Sequence, residues 1–295
     1  MRNLANRRLQ RALESNRLRD VQAALDAGAE VNGVNEGGDT PLLIACEKGR
    51  EKAISLLLEA GADIKVTNRL GWSVLSTAVL SGSARCVKLI LKHLRRSSDP
   101  GMAVRAMLDC RNSDGHQALH VACRYGGTNA LEIATELLRA GADTGTHAGM
   151  PQVIAEAIYS QNRQLIERLL QHGAALDVTN ADSLSALHLA VISRKVGSVR
   201  ILVELGAALN QRDSAGDTPL LMAVKKGGQP FDDIAKMLVE AGADTHATDA
   251  GGQDPYSYVT DPGMIAMMRA GEARRSLGKA LGAVPEGYPR IPAAI

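Results

Sequence analysis

Four potential metal ligands, Cys110, His116, His120 and Cys123, lie close together in the sequence. Thiolate sulfur and imidazole nitrogen are ligands that zinc prefers. Their spacing matches no zinc-finger pattern, and the chain has no CxxC pair. We therefore expect these side chains to pack structurally, and we predict neither a metal site nor a cofactor.

Other motifs that could carry chemistry are equally sparse. The sequence contains no GxSxG, HExxH or GxxxxGK[ST] motif, which predicts that the chain is not an enzyme. The segment Arg95–Ser98 places two arginines before two serines, as in substrates of basophilic kinases. A phosphate there could pair with the arginines, but we favour a plain surface insertion.

The composition excludes several classes of protein. Its 34 basic and 32 acidic residues leave a net charge of +2, too balanced for a chain dominated by nucleic-acid phosphates or anionic lipid. The chain contains no run of 18 apolar residues that could span a membrane. Aromatic residues make up only 2% of the chain, so its core must consist of aliphatic side chains. We expect a cytoplasmic protein, with a nuclear or host-delivered location left open.

The first twenty residues contain six arginines and two acidic residues. An RNA-binding or lipid-binding helix and a presequence are alternative interpretations. We favour a capping element, whose outer face is polar. Leu9, Ala12, Val21 and Leu25 fall where core residues belong.

A repeated Gly-Ala pair organises the chain. The first residues of the six pairs are Gly28, Gly61, Gly141, Gly173, Gly206 and Gly242. The wide gap after Gly61 contains a degenerate unit, in which Leu94 stands 33 residues later where glycine would be. Self-similarity at such a period indicates a repeat protein.

Each unit has the same sequence of elements: a turn, a short helix with a small residue, a second helix and a terminating glycine. The small residues near the ends of the first helices are Ala45, Ala78, Ala122, Ala157, Ala190 and Ala223. Thr218 before Pro219 predicts a capped helix start, and glycine after the second helix predicts a left-handed stop.

These residues resemble ankyrin repeats, which have a Thr-Pro-Leu-His-x-Ala core. Thr218-Pro219-Leu220 and the histidines His120 and His188 match that core, and the resemblance implies that those two rings form hydrogen bonds to nearby backbone. The implied fold is an all-α solenoid of helix-turn-helix units with short β-hairpin or turn tips. The predicted repeat domain covers residues 1–271, and a tail follows at 272–295, Pro-rich from 284.

We count eight units. The N-terminal cap covers residues 4–32, and the C-terminal cap covers 249–271. Full units start near residues 35, 68, 112, 147, 180 and 213. An insertion lies within 95–110, where Met102–Leu108 could form a short helix. Met150 and Ser183 replace the glycine of their turns, and the fourth and seventh units have three extra residues between their helices.

The resemblance implies that a partner protein binds the concave surface formed by the tips and the first helices. The candidate partner-binding residues are Leu70, Trp72, Leu80, His116, Arg124, Tyr125, Tyr159, Leu184 and Ile192. We expect Trp72 and Tyr125 to be the anchors, supported by Leu70 and Tyr159. The alternative is that these rings only cover neighbouring turns and helix ends.

The predicted function is a monomeric, non-enzymatic scaffold or adaptor that binds a protein, with no nucleic-acid or membrane partner. Two alternatives remain open. The chain could be a bacterial effector or regulatory inhibitor that captures a target, or a substrate-adaptor subunit of a larger enzyme.

Overall fold

The computed structural model describes residues 2–145, 153–177 and 179–280. These residues form sixteen α-helices, and the chain divides into two compact units after Thr144. No helix of the described residues is both long and apolar enough to span a membrane. The predicted turn at His147 and Met150 and the predicted Pro-rich segment 284–292 lie outside the described residues.

The first unit contains nine helices within its described residues. They are α1 (Arg2–Glu14), α2 (Leu18–Asp26), α3 (Pro41–Glu47), α4 (Glu51–Glu59), α5 (Val74–Leu80), α6 (Ala84–Leu94), α7 (Pro100–Asp109), α8 (Ala118–Tyr125) and α9 (Ala130–Arg139). Helices α1, α3, α5 and α8 pack in succession as one layer. Helices α2, α4, α6 and α9 pack as the second layer, so each repeat contributes one helix to each.

The second unit contains seven helices within its described residues. They are α10 (Val153–Ser160), α11 (Arg163–Gln171), α12 (Ala186–Ile192), α13 (Val196–Glu204), α14 (Pro219–Lys226), α15 (Phe231–Glu240) and α16 (Pro262–Ala280). Helix α12 packs against both α10 and α14, and α15 packs against α13 and α16. A 3-10 turn at Pro255–Tyr258 packs on α14.

The predicted helix starts are confirmed. The hydroxyls of Thr40 and Thr218 each accept a hydrogen bond from the backbone N–H three residues later, at Leu43 and Leu221. A proline follows each threonine and occupies the first helical turn, where its missing N–H costs nothing. The sequence therefore fixes where α3 and α14 begin.

Small residues allow the two helical layers to pack closely. All six predicted alanines of the first helices are fully buried. A larger side chain there would separate the helices, because interiors are close-packed. The first helices end two or three residues beyond these alanines, which places Leu80 and Tyr125 on the final turns of α5 and α8.

Glycine ends most second helices. Gly61 follows α4 with a φ of 86°, and the N–H of Ala62 donates to the carbonyl of Leu57, as in a left-handed helix stop. The degenerate unit lacks this left-handed stop. With Leu94 in place of glycine, α6 continues to Leu94, and neither its C-cap residue Arg95 nor the following Arg96 has a positive φ.

The predicted insertion contains helix α7, which covers the short helix expected at Met102–Leu108. The Asp99 carboxylate accepts a hydrogen bond from Met102 N–H, and Pro100 occupies the first turn. Helix α7 packs against α6 and α8. The insertion is therefore an ordered element of the first unit.

The N-terminal helices pack as the sequence predicts. Leu9, Ala12 and Val21 are buried, and Leu25 is half-buried. In the fourth unit, the longer loop contains a 3-10 turn at Gly127–Asn129. In the seventh, the extra residues form the loop that precedes α15.

His188 joins two neighbouring repeats of the second unit. Its Nδ1 accepts hydrogen bonds from the Ser185 N–H at 3.2 Å and the Ser185 hydroxyl at 2.8 Å. Its Nε2 therefore carries the hydrogen and donates to the carbonyl of Asp217 at 3.0 Å. The predicted backbone hydrogen bond of this ring is confirmed. Burial lowers the pKa of His188 below its ordinary value.

Protonation of His188 should destabilise the second unit. Because its folded pKa lies below the unfolded value of about 6.5, its contribution is complete above that pH and is lost as the pH falls. As the pH falls below about 6.5, the unfolding free energy should therefore decrease more steeply in the wild type than in His188→Asn. Urea titrations at each pH measure this difference. His172→Asn, which replaces an exposed histidine, is the matched control. If the unfolding free energies of the two variants depended on pH in the same way, the assignment to His188 would be wrong.

Ser183 has a left-handed backbone, with φ at 59°, where the equivalent residues of the other described tips are glycines. Because side chains disfavour this region, Ser183→Gly should raise the unfolding free energy by about 0.5 kcal/mol. Chemical denaturation measures the change. Ser113→Gly, at a tip residue outside the left-handed region, should lower it by a similar amount. A loss of stability in Ser183→Gly would show that the tip is unstrained.

Candidate protein-binding surface

An asparagine side chain holds the tip of the third repeat. The side-chain oxygen of Asn68 accepts hydrogen bonds from the N–H groups of Leu70 at 3.1 Å and Trp72 at 3.0 Å. The Asn68 N–H donates to the carbonyl of Trp72 at 3.1 Å. Thr67 and Ser73 form an isolated antiparallel bridge at the base of the turn. Asn68 therefore fixes the backbone that presents Leu70 and Trp72.

Other tips use the same device. Asn112 accepts from the N–H groups of Asp114 and His116, at 3.1 Å and 2.9 Å. Neighbouring tips of the first unit are also joined, because Ser113 N–H donates to the carbonyl of Leu70 at 2.9 Å. Both residues coincide with repeat starts predicted from the sequence, but their role in holding the turn was not predicted. The recurrence of Asn or Asp three residues before the turn glycine was the available signal.

Apolar side chains are exposed where the first helices of the first unit end. Leu80 and Arg124 each lie seven residues after the N-cap of their helix, and Tyr125 comes one residue later. Leu70 is 59% exposed, Leu80 40% and Tyr125 49%. Helices α5 and α8 pack against each other, so Leu80 and Arg124 occupy equivalent positions on neighbouring helices.

The other candidates of the first unit are less exposed or already engaged. Trp72 and His116 are half-buried. The ring of His116 stacks on the buried ring of His120, with centroids 5.8 Å apart. The guanidinium of Arg124 lies 5.5 Å from the centroid of the Tyr125 ring, a cation–π distance that restrains both side chains. Of the two expected anchors, Tyr125 is exposed and Trp72 is partly covered.

Six candidates lie in the first unit, on α5, on α8 and in the tips that precede these two helices. We call Leu70, Trp72, Leu80, His116, Arg124 and Tyr125 the recognition surface. The remaining three lie in the second unit, where Tyr159 is 45% exposed, Ile192 is 42% exposed and Leu184 is half-buried. A role of any of these residues in binding remains a prediction.

Lys225 is neutralised within the second unit. It lies seven residues after the N-cap of α14, as Ile192 does in α12. Its ammonium contacts the carboxylates of Asp217 and Asp249, at 2.5 Å and 2.8 Å. Tyr258 donates a hydrogen bond to Asp249 at 2.6 Å, and its ring lies 5.2 Å from Lys225 Nζ.

Titration of the Lys225 cluster reflects these contacts. Burial opposes the charge of Lys225, but hydrogen bonds and charges from Asp217 and Asp249 outweigh it and raise its pKa. Hydrogen bonds from Lys225 and Tyr258 hold the pKa of Asp249 well below its usual range. The cluster ties the C-terminal cap to α14, so this position does not offer a partner an unpaired charge.

The four residues considered as metal ligands lie at the end of α7, in the following tip and on α8. Cys123 and His120 are buried on α8, and Cys110 is half-buried at the end of α7. Over the described ranges of the chain, no three His, Cys, Asp or Glu side chains are grouped as they are around a metal ion.

Stacked helix pairs with joined tips define a helical repeat protein, and exposed apolar residues on the first helices define a candidate binding surface. The family model for ankyrin repeats matches three segments, residues 9–101, 61–148 and 154–249. These segments cover well over half of the chain, which therefore belongs to the ankyrin repeat family.

Relatives share parts of this chain. Human protein phosphatase 1 regulatory subunit 27 is 42% identical over 88 residues, which are 30% of this chain and 54% of that protein. The E3 ubiquitin-protein ligase KEG of Arabidopsis thaliana is 29% identical over 150 residues, 50% of this chain and 9% of that protein. This chain thus spans about half of the first relative and less than a tenth of the second.

The fold is also similar to a solved structure, the ankyrin repeat domain of Bcl-3, described as a unique member of the IkappaB protein family. The two agree with a TM-score of 0.60 and 27% sequence identity, over 77% of this chain and 96% of the Bcl-3 domain. The all-α ankyrin fold predicted from the sequence is confirmed.

Removing the Asn68 side chain should loosen the recognition surface without changing its chemistry. Asn68→Ala leaves the N–H groups of Leu70 and Trp72 without their acceptor, which should cost about 1–2 kcal/mol of stability. Tryptophan fluorescence followed during urea unfolding reports both the stability and the environment of Trp72. The control is Ser113→Ala, because the Ser113 hydroxyl forms no hydrogen bond with a described residue. It should change neither the stability nor the fluorescence of Trp72. If Asn68→Ala also changed neither, the role of the Asn68 side chain would be refuted.

Proposed function

We propose that this chain is a non-enzymatic scaffold or adaptor that binds a partner protein through the recognition surface of its first unit. One observation carries the proposal. Leu80 and Tyr125 end consecutive first helices and remain exposed, although burial of such side chains is favourable. Apolar side chains at the centre of a polar face are typical of protein interfaces.

The frame around these residues supports the proposal. Joined tips and fully buried alanines hold the backbone in place, so partner binding costs little ordering entropy. The contact between Arg124 and Tyr125 restrains the exposed Tyr125 ring. Aromatic residues and arginine are enriched among residues that dominate binding energies. We also propose that the second unit contributes to partner binding through its own candidates, Tyr159, Leu184 and Ile192.

The position of Leu80 differs in charge between neighbouring repeats. It is taken by Glu47 in the preceding first helix and by Arg124 in the following one. The carboxylate of Glu47 is paired with the ammonium of Lys48 at 3.1 Å. We propose a monomer without nucleic-acid or membrane partners, acting in the cytoplasm.

A regulatory or adaptor subunit of a larger enzyme is the second candidate function. Its support is the similarity to human protein phosphatase 1 regulatory subunit 27. It differs from the first candidate in one expectation: a catalytic subunit should co-purify with the chain.

Leu80→Ala/Tyr125→Ala should weaken partner binding at least about tenfold, because each truncation removes about 1 kcal/mol or more at a binding hot spot. Tagged wild-type and variant proteins are purified from the native cell, and calorimetry then measures the affinity of the identified partner. Circular dichroism verifies that the variant folds.

The control is Leu4→Ala/Met102→Ala, which truncates two exposed apolar residues outside the recognition surface. It should retain the partner with unchanged affinity. Retention by the Leu80/Tyr125 variant together with loss by the control would refute the recognition surface.

A further inference from the structure

A groove lined by arginines lies between α1 and α2 in the first unit. Its volume is about 370 Å³, and Arg8, Arg11 and Arg17 line it. Ala12 and Ala24 are buried at its base, where small side chains leave room between the helices. The groove lies on helices other than α5 and α8, which carry the recognition surface.

The positive charge of this groove is largely unneutralised. Within the described part of the chain, Arg8 and Arg11 take part in no ion pair. Arg17 has a single, solvent-exposed contact, 3.8 Å from Asp20. Three guanidinium groups therefore face one carboxylate. By contrast, Arg163 on α11 pairs with Glu167 at 2.8 Å, and the half-buried Arg275 on α16 pairs with Asp244 at 2.9 Å.

A capping role explains a polar outer face, but it does not explain this arrangement. Arg8 and Arg11 are three residues apart on α1, so they lie on one face of the helix and repel each other. A ligand with several carboxylates would remove the repulsion. Arginine suits that ligand, because its planar guanidinium forms paired hydrogen bonds to a carboxylate.

The surroundings favour a protein ligand over nucleic acid or lipid. Residues 1–71 contain no aromatic side chain on which a base could stack. On the described parts of α1 and α2, Leu4 is the only exposed large apolar side chain, so these parts present no apolar face for membrane insertion. The residues outside the described ranges contain a single acid, Glu286, so they cannot supply a run of carboxylates.

We propose that the groove between α1 and α2 binds an acidic segment of a partner protein, with Arg8, Arg11 and Arg17 pairing to its Asp or Glu side chains. The buried alanines at the base allow an extended chain to approach the helices. The site is independent of the recognition surface, so the chain can hold a partner at a second place and discriminate between partners by charge.

Fluorescence anisotropy with a short labelled peptide of alternating glutamate and alanine tests the site. Arg8→Gln/Arg11→Gln/Arg17→Gln should weaken binding by about tenfold or more at low salt. Arg95→Gln/Arg96→Gln/Arg105→Gln removes the same charge from the exposed segment after α6 and from α7 in the same unit. It should change the affinity by less than about twofold. Circular dichroism verifies that both variants fold.

Four outcomes would overturn the proposal. The first is no binding of the acidic peptide to the wild type. The second is an equal loss in both variants, which would indicate unspecific charge attraction. The third is tighter, groove-dependent binding of single-stranded RNA or of phosphatidylserine vesicles than of the peptide. The fourth is a wild-type dimer, seen by analytical ultracentrifugation, that the groove substitutions dissociate, because the occupant would then be a second copy of the chain.

Discussion

The surface depends on the hydrogen bonds that one Asn or Asp side chain accepts from backbone N–H groups in each described tip. Asn68 accepts hydrogen bonds from two N–H groups of its turn, and Asn112 and Asp213 do the same in their own tips. Because these bonds hold the backbone of the turn, the exposed residues of the tip can differ between repeats without changing its conformation. The structural and the variable positions are thus separated within a few residues.

A second constraint determines which residues are exposed. The buried alanines set the distance between the two helical layers, and the helix caps set where each first helix begins. With start and spacing fixed, the residue seven positions after the cap lies on the last turn, beside the next repeat. Its identity changes from Glu47 to Leu80 and Ile192 while the backbone around it stays the same. Chemistry can therefore change from repeat to repeat without refolding the chain.

The sequence predicted the frame well, because the frame is local. The Thr-Pro helix start at Thr218, the stop at Gly61 and the strained turn at Ser183 follow from residue type and spacing alone. The site was less predictable, because exposure depends on contacts between repeats. Trp72 was expected to be an anchor and is half-buried, whereas Tyr125 is exposed beside Arg124. No pattern within one repeat reveals how much of each ring the fold buries.

Charge shows most clearly why surface chemistry cannot be derived from composition. Lys225 occupies an exposed helix-end position in the sequence pattern, yet two carboxylates from the tips of its own and the next repeat neutralise it. Arg8 and Arg11 belong to a cap helix, and no described acid pairs with them. A paired charge stabilises the fold, whereas an unpaired one costs repulsion until a partner supplies the opposite charge. The pairing within the chain, more than the number of charges, therefore determines where this protein can attract another.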